Sequence, residues 1–212
     1  MPQPPTTHVA LLPVKPPSRG KSRLVGLDDG TRAALARGFA LDTAEACLAA
    51  APIGAVLVVT DDAFFASEVR ALGCAVIPDG VSGDLNGTLR QAAAEARRRW
   101  PELVPAAMCG DLPALRPTDL TEALGSAPVG VPAYVVDAVG TGTTLYTAAY
   151  DAFSPCFGPD SARLHRDGGA TPIPGALTSL RHDVDTLDDL RAARSLGLGP
   201  RTLLAALQAG LG

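Results

Sequence analysis

The hydrophobic positions of the chain fall into short continuous runs, and longer amphipathic stretches lie between them. The runs 9–14, 55–60 and 74–78 are predicted to be strands, and the stretches 30–50 and 63–72 are predicted to be helices. Continuous apolar runs, rather than strict alternation, are typical of parallel strands that are buried on both faces. This part of the chain therefore predicts a βαβαβ arrangement within a doubly wound, Rossmann-like α/β sheet.

The alternation continues into the second half of the chain and then changes. A helix at 89–100 and a strand that ends at Asp111 extend the α/β pattern, and a further helix is predicted at 119–124. The apolar segments 131–138 and 143–150 are joined by a Gly-Thr-Gly turn, which predicts an antiparallel strand pair at the edge of the sheet. The expected fold is therefore a mostly parallel sheet with an antiparallel edge strand.

The last part of the chain predicts a long loop followed by a short helix. Residues 157–175 are rich in proline and glycine and are expected to form the loop. Thr186 and Asp189 have the spacing of a capping box, and the helix that they open is expected to stop at Gly197. No repeat or linker divides the 212 residues, so we expect one domain over 1–212.

The composition of the chain limits the kinds of binding partner and the cellular compartment that we expect. With 47% hydrophobic and 19% charged residues the chain is expected to form a compact globule, and a net charge of −4 argues against a nucleic-acid partner. The N-terminus has no basic leader, and Pro13 interrupts its apolar stretch, so neither a signal peptide nor a membrane span is predicted. We therefore expect a cytoplasmic protein that binds a small molecule.

The four cysteines are far apart and do not form a metal-binding pattern. There is no C-x-x-C pair and no histidine at metal-ligand spacing, so we expect buried, reduced thiols. They are Cys47, Cys74, Cys109 and Cys156.

A cluster of cations in one loop predicts an anion-binding site. The only two lysines, Lys15 and Lys21, lie with Arg19 and Arg23 directly after the first predicted strand. A loop at the carboxyl end of such a strand commonly binds nucleotide phosphates, although a solvated loop in an arginine-rich chain would have the same composition. A Walker A loop is not indicated, because position 15 holds lysine where that motif requires glycine.

Aspartates in two distant segments predict a metal site. Asp111 follows a predicted buried strand in the sequence GDLPAL, and its hard oxygens suit Mg²⁺, although it could simply cap the following turn. Asp183 and Asp185 lie two residues apart, and paired carboxylates near a phosphate site favour a cation. Asp185 could instead stabilise the N-terminus of the following helix.

Two glycine-containing segments, GTGTT and FGPDSAR, have the composition of an oxyanion-binding site. Their glycines allow close approach of backbone N–H groups and their hydroxyls supply further donors, although ordinary turn chemistry would explain either segment alone. The residues concerned are Gly140, Gly142, Thr143, Thr144, Gly158 and Ser161. Position 145 is leucine, so the third glycine of a dinucleotide-binding fingerprint is missing.

Taken in order, PVKPPSRGKSRL, GDLNGTL, GDLPAL, GTGTT, FGPDSARLH and HDVDTLDDL resemble a known family over residues 8–200. They are similar to the phospholactate and phosphoenolpyruvate guanylyltransferases of deazaflavin coenzyme biosynthesis. That family belongs to the nucleotidyltransferase fold of the molybdenum-cofactor guanylyltransferases. The resemblance implies transfer of GMP from GTP to the phosphate of phosphoenolpyruvate or 2-phospho-L-lactate, with release of pyrophosphate.

The resemblance also implies roles for particular residues. Lys15, Lys21 and Arg23 would bind the GTP phosphates, and Asn86 would help to place the nucleotide. Asp111 and Asp183 would bind Mg²⁺, with Asp185 as the alternative ligand to Asp183, and Lys15, Lys21, Asp111 and Asp183 would be the catalytic residues. Thr143, Gly158 and Ser161 would bind the acceptor. The short glycine-rich loop before GDLN departs from the family pattern, which affects the guanine contacts.

Phosphoryl chemistry agrees with the absence of an obvious general base. A phosphate monoester has a second pKa of about 6, so the acceptor is already largely dianionic at neutral pH. None of His8, His165 and His182 is therefore given a role in the chemistry.

The choice between the two acceptors rests on composition alone. Phosphoenolpyruvate is favoured over 2-phospho-L-lactate only because the chain has an Ala-, Arg- and Gly-rich composition of the actinobacterial type. Two alternative functions are another nucleotidyltransferase activity and nucleotide binding without turnover. The sequence is also compatible with a homodimer.

Overall fold

The strands of the protein form one seven-stranded sheet in the computed structural model, which describes residues 7–16, 21, 23–81 and 83–211. In chain order the strands are β1 (His8–Pro13), β2 (Ile53–Val59), β3 (Ala75–Ile77), β4 (Val104–Met108), β5 (Ala133–Val136), β6 (Thr143–Thr147) and β7 (Thr171–Pro172). Their order across the sheet is β3-β2-β1-β4-β6-β5-β7. Strand β6 is antiparallel to both of its neighbours, and the other pairs are parallel.

Helices cover both faces of this sheet. They are α1 (Asp29–Ala49), α2 (Ala63–Ala71), α3 (Leu85–Arg99), α4 (Pro117–Ser126), α5 (Ser161–Asp167), α6 (Leu187–Leu196) and α7 (Pro200–Gln208). Within the described ranges, none of the helices has the length and apolar character needed to cross a bilayer.

The central strands are buried on both faces, as their continuous apolar runs predict. Ala10 and Leu12 of β1 face a core formed with α1, α2 and α4, whereas Val9 and Leu11 face a second core formed with α3. All four side chains are fully buried. The prediction of a doubly wound, mostly parallel sheet is confirmed, and the antiparallel strand β6 lies between β4 and β5.

In the first half of the chain, the predicted limits of the strands and helices agree with the structure. The observed β1, β2, β3, α1 and α2 begin and end within two residues of the predicted limits. Helix α3 begins four residues earlier than predicted, because the carboxylate of Asp84 accepts a hydrogen bond from the backbone N–H of Gly87 at 2.9 Å and caps the helix there. The capping box of Thr186 and Asp189 is present at the start of α6.

The prediction of a loop across 157–175 was wrong for part of its length. Helix α5 and the short strand β7 lie within it. Asp160 adopts a left-handed conformation immediately before α5, which lets the helix start inside a glycine-rich segment whose composition indicates a loop. That the whole chain forms one domain stays a prediction.

Helix α7, which the sequence pattern did not predict, is held against α1 by a buried carboxylate. Asp42 of α1 is 6% exposed and accepts hydrogen bonds from the backbone N–H groups of Arg201 at 3.2 Å and Thr202 at 2.8 Å. Gly38 lets the helices approach closely, since a Cβ there would lie 3.1 Å from the backbone of Thr202. The cap on α7 therefore comes from a residue about 160 positions earlier in the chain.

We expect Asp42→Ala to lower the free energy of unfolding by about 2–3 kcal/mol, because it leaves two N–H groups at a helix start without their charged acceptor. Chemical denaturation would measure the change. Glu45→Ala is the matched control, since Glu45 also contacts Arg201 from α1 but is exposed, and it should cost less than about 1 kcal/mol. Equal losses in the two variants would contradict the capping role.

Candidate active site

A cleft of about 590 Å³ opens at the carboxyl ends of β1, β2 and β4. Open α/β sheets bind ligands at this edge, where loops leave the strands. The predicted site residues that line the cleft are Lys15, Lys21, Arg23, Asp111, Gly158 and Asp185. Arg19 lies outside the described residues.

The ammonium of Lys21 lies between two carboxylates of the cleft. Its backbone is left-handed, with φ of +57°, and its side chain is 11% exposed. The ammonium contacts the carboxylate of Asp111 and donates to Asp185 Oδ1 at 3.0 Å. Burial opposes the charged form, but the two carboxylates outweigh it and raise the pKa of Lys21 above its ordinary value. Lys21 therefore stays charged at neutral pH.

The position of Asp111 is set by main-chain hydrogen bonds on both sides of it. The next residue, Leu112, donates its backbone N–H to the hydroxyl of Thr43 at 3.0 Å, and that hydroxyl donates to the carbonyl of Phe39 at 2.7 Å. The backbone N–H of Val184 donates to the carbonyl of Asp111 at 3.1 Å. These bonds join the loop after β4 to α1 and to the segment that carries Asp183.

Asp111 and Asp183 come together in a group that could hold a metal ion. One carboxylate oxygen from each, and the sulfur of Cys109, all lie within 4.8 Å of one another. Burial and the nearby charges of Asp111 and Asp185 raise the pKa of Asp183 to about 7. A cation between the carboxylates would relieve this repulsion, so the group suits a divalent metal.

Cys109 is a poor ligand in this group. Burial, followed by the charge of Asp111, raises the pKa of its thiol well above the ordinary value. Without a bound ion the thiol is therefore protonated, and its soft sulfur is a poor match for a hard cation such as Mg²⁺. The hard donors that remain are the oxygens of Asp111 and Asp183, which suit Mg²⁺ or a similar ion.

Asp185 has a different environment from Asp183. Its two oxygens accept from Lys21 Nζ and from an Arg23 guanidinium nitrogen, each at 3.0 Å. It is not part of the 4.8 Å group found among the described residues. The geometry therefore favours Asp183 over Asp185 as the partner of Asp111.

The segment that carries Asp183 is held by an arginine that the sequence did not single out. The guanidinium of Arg181 donates to four backbone carbonyls, those of Val136 at 2.8 Å, Ala176 at 3.0 Å, Gly175 at 3.1 Å and Ile173 at 3.4 Å. The backbone N–H of Ala138 donates to the carbonyl of Arg181 at 2.8 Å. These contacts tie the segment to the end of β5, 45 residues earlier.

The three predicted acceptor residues lie near one another around α5. Gly158 lines the cleft and has a φ of +130°, and its carbonyl accepts the backbone N–H of Ser161 at 3.2 Å. Ser161 begins α5 and is buried. Thr143 begins β6, and its hydroxyl lies 3.0 Å from Nδ1 of His165 on the same helix α5.

The turn before Thr143 depends on a carboxylate and a glycine. Asp137 accepts hydrogen bonds from the backbone N–H groups of Gly140 at 2.6 Å and Thr141 at 3.0 Å. A Cβ at Gly142 would collide with the same carboxylate. A side chain at position 142 would have to displace this hydrogen-bonded carboxylate, so the glycine has a structural reason that does not require a ligand.

Asn86 makes contacts that differ from those implied by the family resemblance. Its amide nitrogen donates to the carbonyl of Phe157 at 2.9 Å, and its amide oxygen accepts the backbone N–H of Phe157 at 2.8 Å. The side chain thus clamps the segment that contains Gly158 from the start of α3. In this structure Asn86 positions a loop, and its role toward the nucleotide stays a prediction.

Sequence reasoning missed three residues that build the site, namely Thr43, His165 and Arg181. Thr43 and Arg181 act through backbone groups far away in sequence, and no local pattern reveals such contacts. His165 had a weak signal, because it lies four residues after Ser161 and so shares a face of the helix with it.

Comparisons with known proteins agree with this geometry. A solved structure from Desulfovibrio desulfuricans, assigned to the nucleotide-diphospho-sugar transferases, covers 96% of this chain and 96% of its own with a TM-score of 0.72. Because the two sequences are only 19% identical, this similarity shows the fold and nothing further. The sheet and the lysine–aspartate cleft at its carboxyl edge define an enzyme of the nucleotidyltransferase type.

Relatives of higher identity specify the family. Phosphoenolpyruvate guanylyltransferases of Streptomyces scabiei and Thermomonospora curvata are 49% and 47% identical to the chain. Each alignment covers 92% of this chain, and 94% and 87% of the respective relative. The chain therefore belongs to the phosphoenolpyruvate guanylyltransferase family, as the order of its motifs predicted. No protein-family model matches the sequence.

We expect Thr43→Val to lower the free energy of unfolding by about 1–3 kcal/mol, because valine keeps the shape but leaves the buried N–H of Leu112 without an acceptor. Thr121→Val is the matched control, since the Thr121 hydroxyl donates to the carbonyl of Pro117 in its own helix and to no other described residue. It should change stability by less than about 0.5 kcal/mol. Denaturant titration of both variants measures the difference, and a neutral Thr43→Val would contradict the anchoring role.

Proposed function

We propose that the protein transfers GMP from GTP to the phosphate of phosphoenolpyruvate, with release of pyrophosphate, in deazaflavin coenzyme biosynthesis. The observation that carries the proposal is the contact of the Lys21 ammonium with the carboxylate of Asp111 in the cleft, together with the approach of Asp183 to the same carboxylate. Membership of the phosphoenolpyruvate guanylyltransferase family supports the choice of substrates.

The cations of the cleft bind the triphosphate in this proposal. Lys15 and Arg23 are exposed at the mouth of the cleft, while Lys21 lies deeper beside Asp111. The ammonium of a lysine is a compact charge on a flexible stem, so it can follow a phosphate as the geometry changes. Lys15 and Lys21 are therefore assigned to the phosphates, with Lys21 next to the reacting group.

Asp111 and Asp183 hold Mg²⁺ in this proposal. The raised pKa of Asp183, near 7, reflects burial and repulsion that a bound dication would offset. When bound, the ion polarises phosphoryl oxygens and offsets the charge that develops on the leaving pyrophosphate. Asp185 then serves mainly to orient Lys21 and Arg23.

The base of GTP lies toward the β2 and β3 side of the cleft in this proposal. Asp61 follows β2 and Asp79 follows β3, and both line the cleft. Guanine presents N–H donors at N1 and N2, which a carboxylate can accept. The sequence did not indicate these two residues, and the guanine preference rests on their chemistry and on the family.

The acceptor lies against Thr143, Gly158 and Ser161 in this proposal. A phosphate oxygen of the acceptor attacks the α-phosphorus of GTP and forms the new P–O bond. The bond from the α-phosphorus to the bridging oxygen breaks, and pyrophosphate leaves with that electron pair. The acceptor oxygen is already ionised, so the site needs to align and neutralise the two anions rather than remove a proton.

The proposal is tested by incubating the protein with GTP and Mg²⁺ alone, with phosphoenolpyruvate and with 2-phospho-L-lactate. We expect acceptor-dependent release of pyrophosphate and a guanylylated product of the expected mass with phosphoenolpyruvate. ATP and CTP in place of GTP test the base preference. Turnover with 2-phospho-L-lactate alone would select the other acceptor, and GTP binding without pyrophosphate release would indicate a binding module.

We expect Asp111→Asn to lower turnover by about 100-fold or more, because the amide cannot supply the charge that holds the cation and orients Lys21. Circular dichroism should show an unchanged fold, and calorimetry should show weaker Mg²⁺ binding. Asp188→Asn is the control, since that exposed carboxylate lies on α6 and, within the described part of the chain, pairs only with Arg191. Full activity and Mg²⁺ affinity in Asp111→Asn would refute the assignment.

A further inference from the structure

His165 is enclosed by aromatic rings that fix the plane of its imidazole. The ring stacks on Tyr146 with centroids 4.6 Å apart, and Phe157 meets it edge-on at 5.5 Å. Tyr134 lies on the same side of the sheet at 5.7 Å. The residue is only 2% exposed. Its two nitrogens therefore have fixed directions, one toward β6 and one toward the segment before α5.

The hydrogen bonds of this imidazole determine where its proton lies. The backbone N–H of Cys156 points at Nε2 from 2.9 Å, and since an N–H can only donate, Nε2 must accept. Burial lowers the pKa of His165 to about 4, so the ring is neutral at neutral pH. A neutral imidazole carries one proton, which is therefore on Nδ1.

The proton on Nδ1 in turn orients the hydroxyl of Thr143. Nδ1 lies 3.0 Å from Thr143 Oγ1, so the imidazole donates and the hydroxyl accepts. Among the described residues, His165 is the one hydrogen-bond partner of that hydroxyl. The proton of the hydroxyl is thus left available to donate to a further, anionic group.

A bulge in β6 turns Thr143 toward this imidazole. Val135 pairs with Leu145, but the next residue, Val136, pairs with Thr143, so Thr144 is the extra residue. The shift places Thr143 on the side of the strand that Tyr146 occupies, although the two lie three residues apart. Bulges commonly redirect a side chain next to a functional site.

We propose that His165 is a positioning residue, which fixes the Thr143 hydroxyl as a hydrogen-bond donor to the anionic oxygens of the acceptor. This inference rests on the proposed function, in which Thr143 binds the acceptor. The same imidazole also holds Cys156, two residues before Gly158, and it lies one helical turn after Ser161. The ring thereby contacts Thr143 directly and reaches the segment of Gly158 through Cys156, and among the described residues none of its hydrogen bonds goes to a residue assigned to GTP.

Two substitutions of His165 test the roles of its two ring nitrogens separately. In His165→Asn the side-chain amide lies near the former Nδ1 and can still donate to Thr143. In His165→Gln the amide oxygen lies near the former Nε2 and can still accept from Cys156. We expect His165→Gln to raise the KM for phosphoenolpyruvate about 10-fold, as for the loss of one charge-assisted hydrogen bond, with the KM for GTP unchanged. His165→Asn should keep more of the acceptor affinity.

A double-mutant cycle with Thr143→Val tests whether His165 acts through that hydroxyl. If it does, adding His165→Gln to Thr143→Val should raise the KM for phosphoenolpyruvate by less than about twofold, because the hydroxyl is already absent. Independent, multiplicative effects would overturn the proposal. An equal rise in the KM for GTP would do the same, since it would indicate a general structural role.

A readout that needs no substrate comes from nitrogen NMR of the wild-type histidine rings. We expect His165 to show a protonated Nδ1 and an unprotonated Nε2 at neutral pH, and Thr143→Val to shift the Nδ1 signal. The opposite tautomer would overturn the positioning role even if a His165 variant failed to fold. A wild type that releases no pyrophosphate with either acceptor would instead overturn the proposed function, and the acceptor role of Thr143 with it.

Discussion

The close approach of Asp111 and Asp183 at the carboxyl edge of the sheet is the constraint on which the site depends. Burial, followed by the nearby charges of Asp111 and Asp185, raises the pKa of Asp183 to about 7. Lys21 offsets part of this charge from a left-handed backbone position. A bound cation would offset the repulsion between the carboxylates, so the charges around Asp111 and Asp183 favour the binding of a metal ion there.

Main-chain hydrogen bonds from distant elements hold these charges in place. A buried hydroxyl on α1 anchors the loop after β4, and the guanidinium of Arg181 donates to four backbone carbonyls next to the segment of Asp183. The direct bond from Val184 to Asp111 then joins the two segments. Because Thr43 lies on α1 and Val136 lies on β5, these bonds fix the segments of the two carboxylates relative to the sheet.

In the part of the chain that the structure describes, the residues around α5 that are assigned to the acceptor are held by uncharged side chains rather than by ion pairs. Their supports are neutral and aromatic, with His165 stacked on Tyr146 and Asn86 clamping Phe157. A neutral, rigid wall can orient a small carboxylate or phosphate without competing with Lys21 for it. In the proposed reaction, the charged side of the site binds the triphosphate and the neutral side binds the acceptor.

Sequence periodicity was sufficient for the central sheet, because strands buried on both faces require the continuous apolar runs seen in β1 and β2. Residue chemistry likewise indicated Lys21 and Asp111, since charges that follow buried strands must lie at the ligand edge. Helix α7 could not be foreseen, because its cap, Asp42, belongs to α1. The preference for Asp183 over Asp185, and the role of His165, depend on distances between segments that are remote in sequence. Local patterns carry no information on such distances, which arise only when the folded sheet brings those segments together.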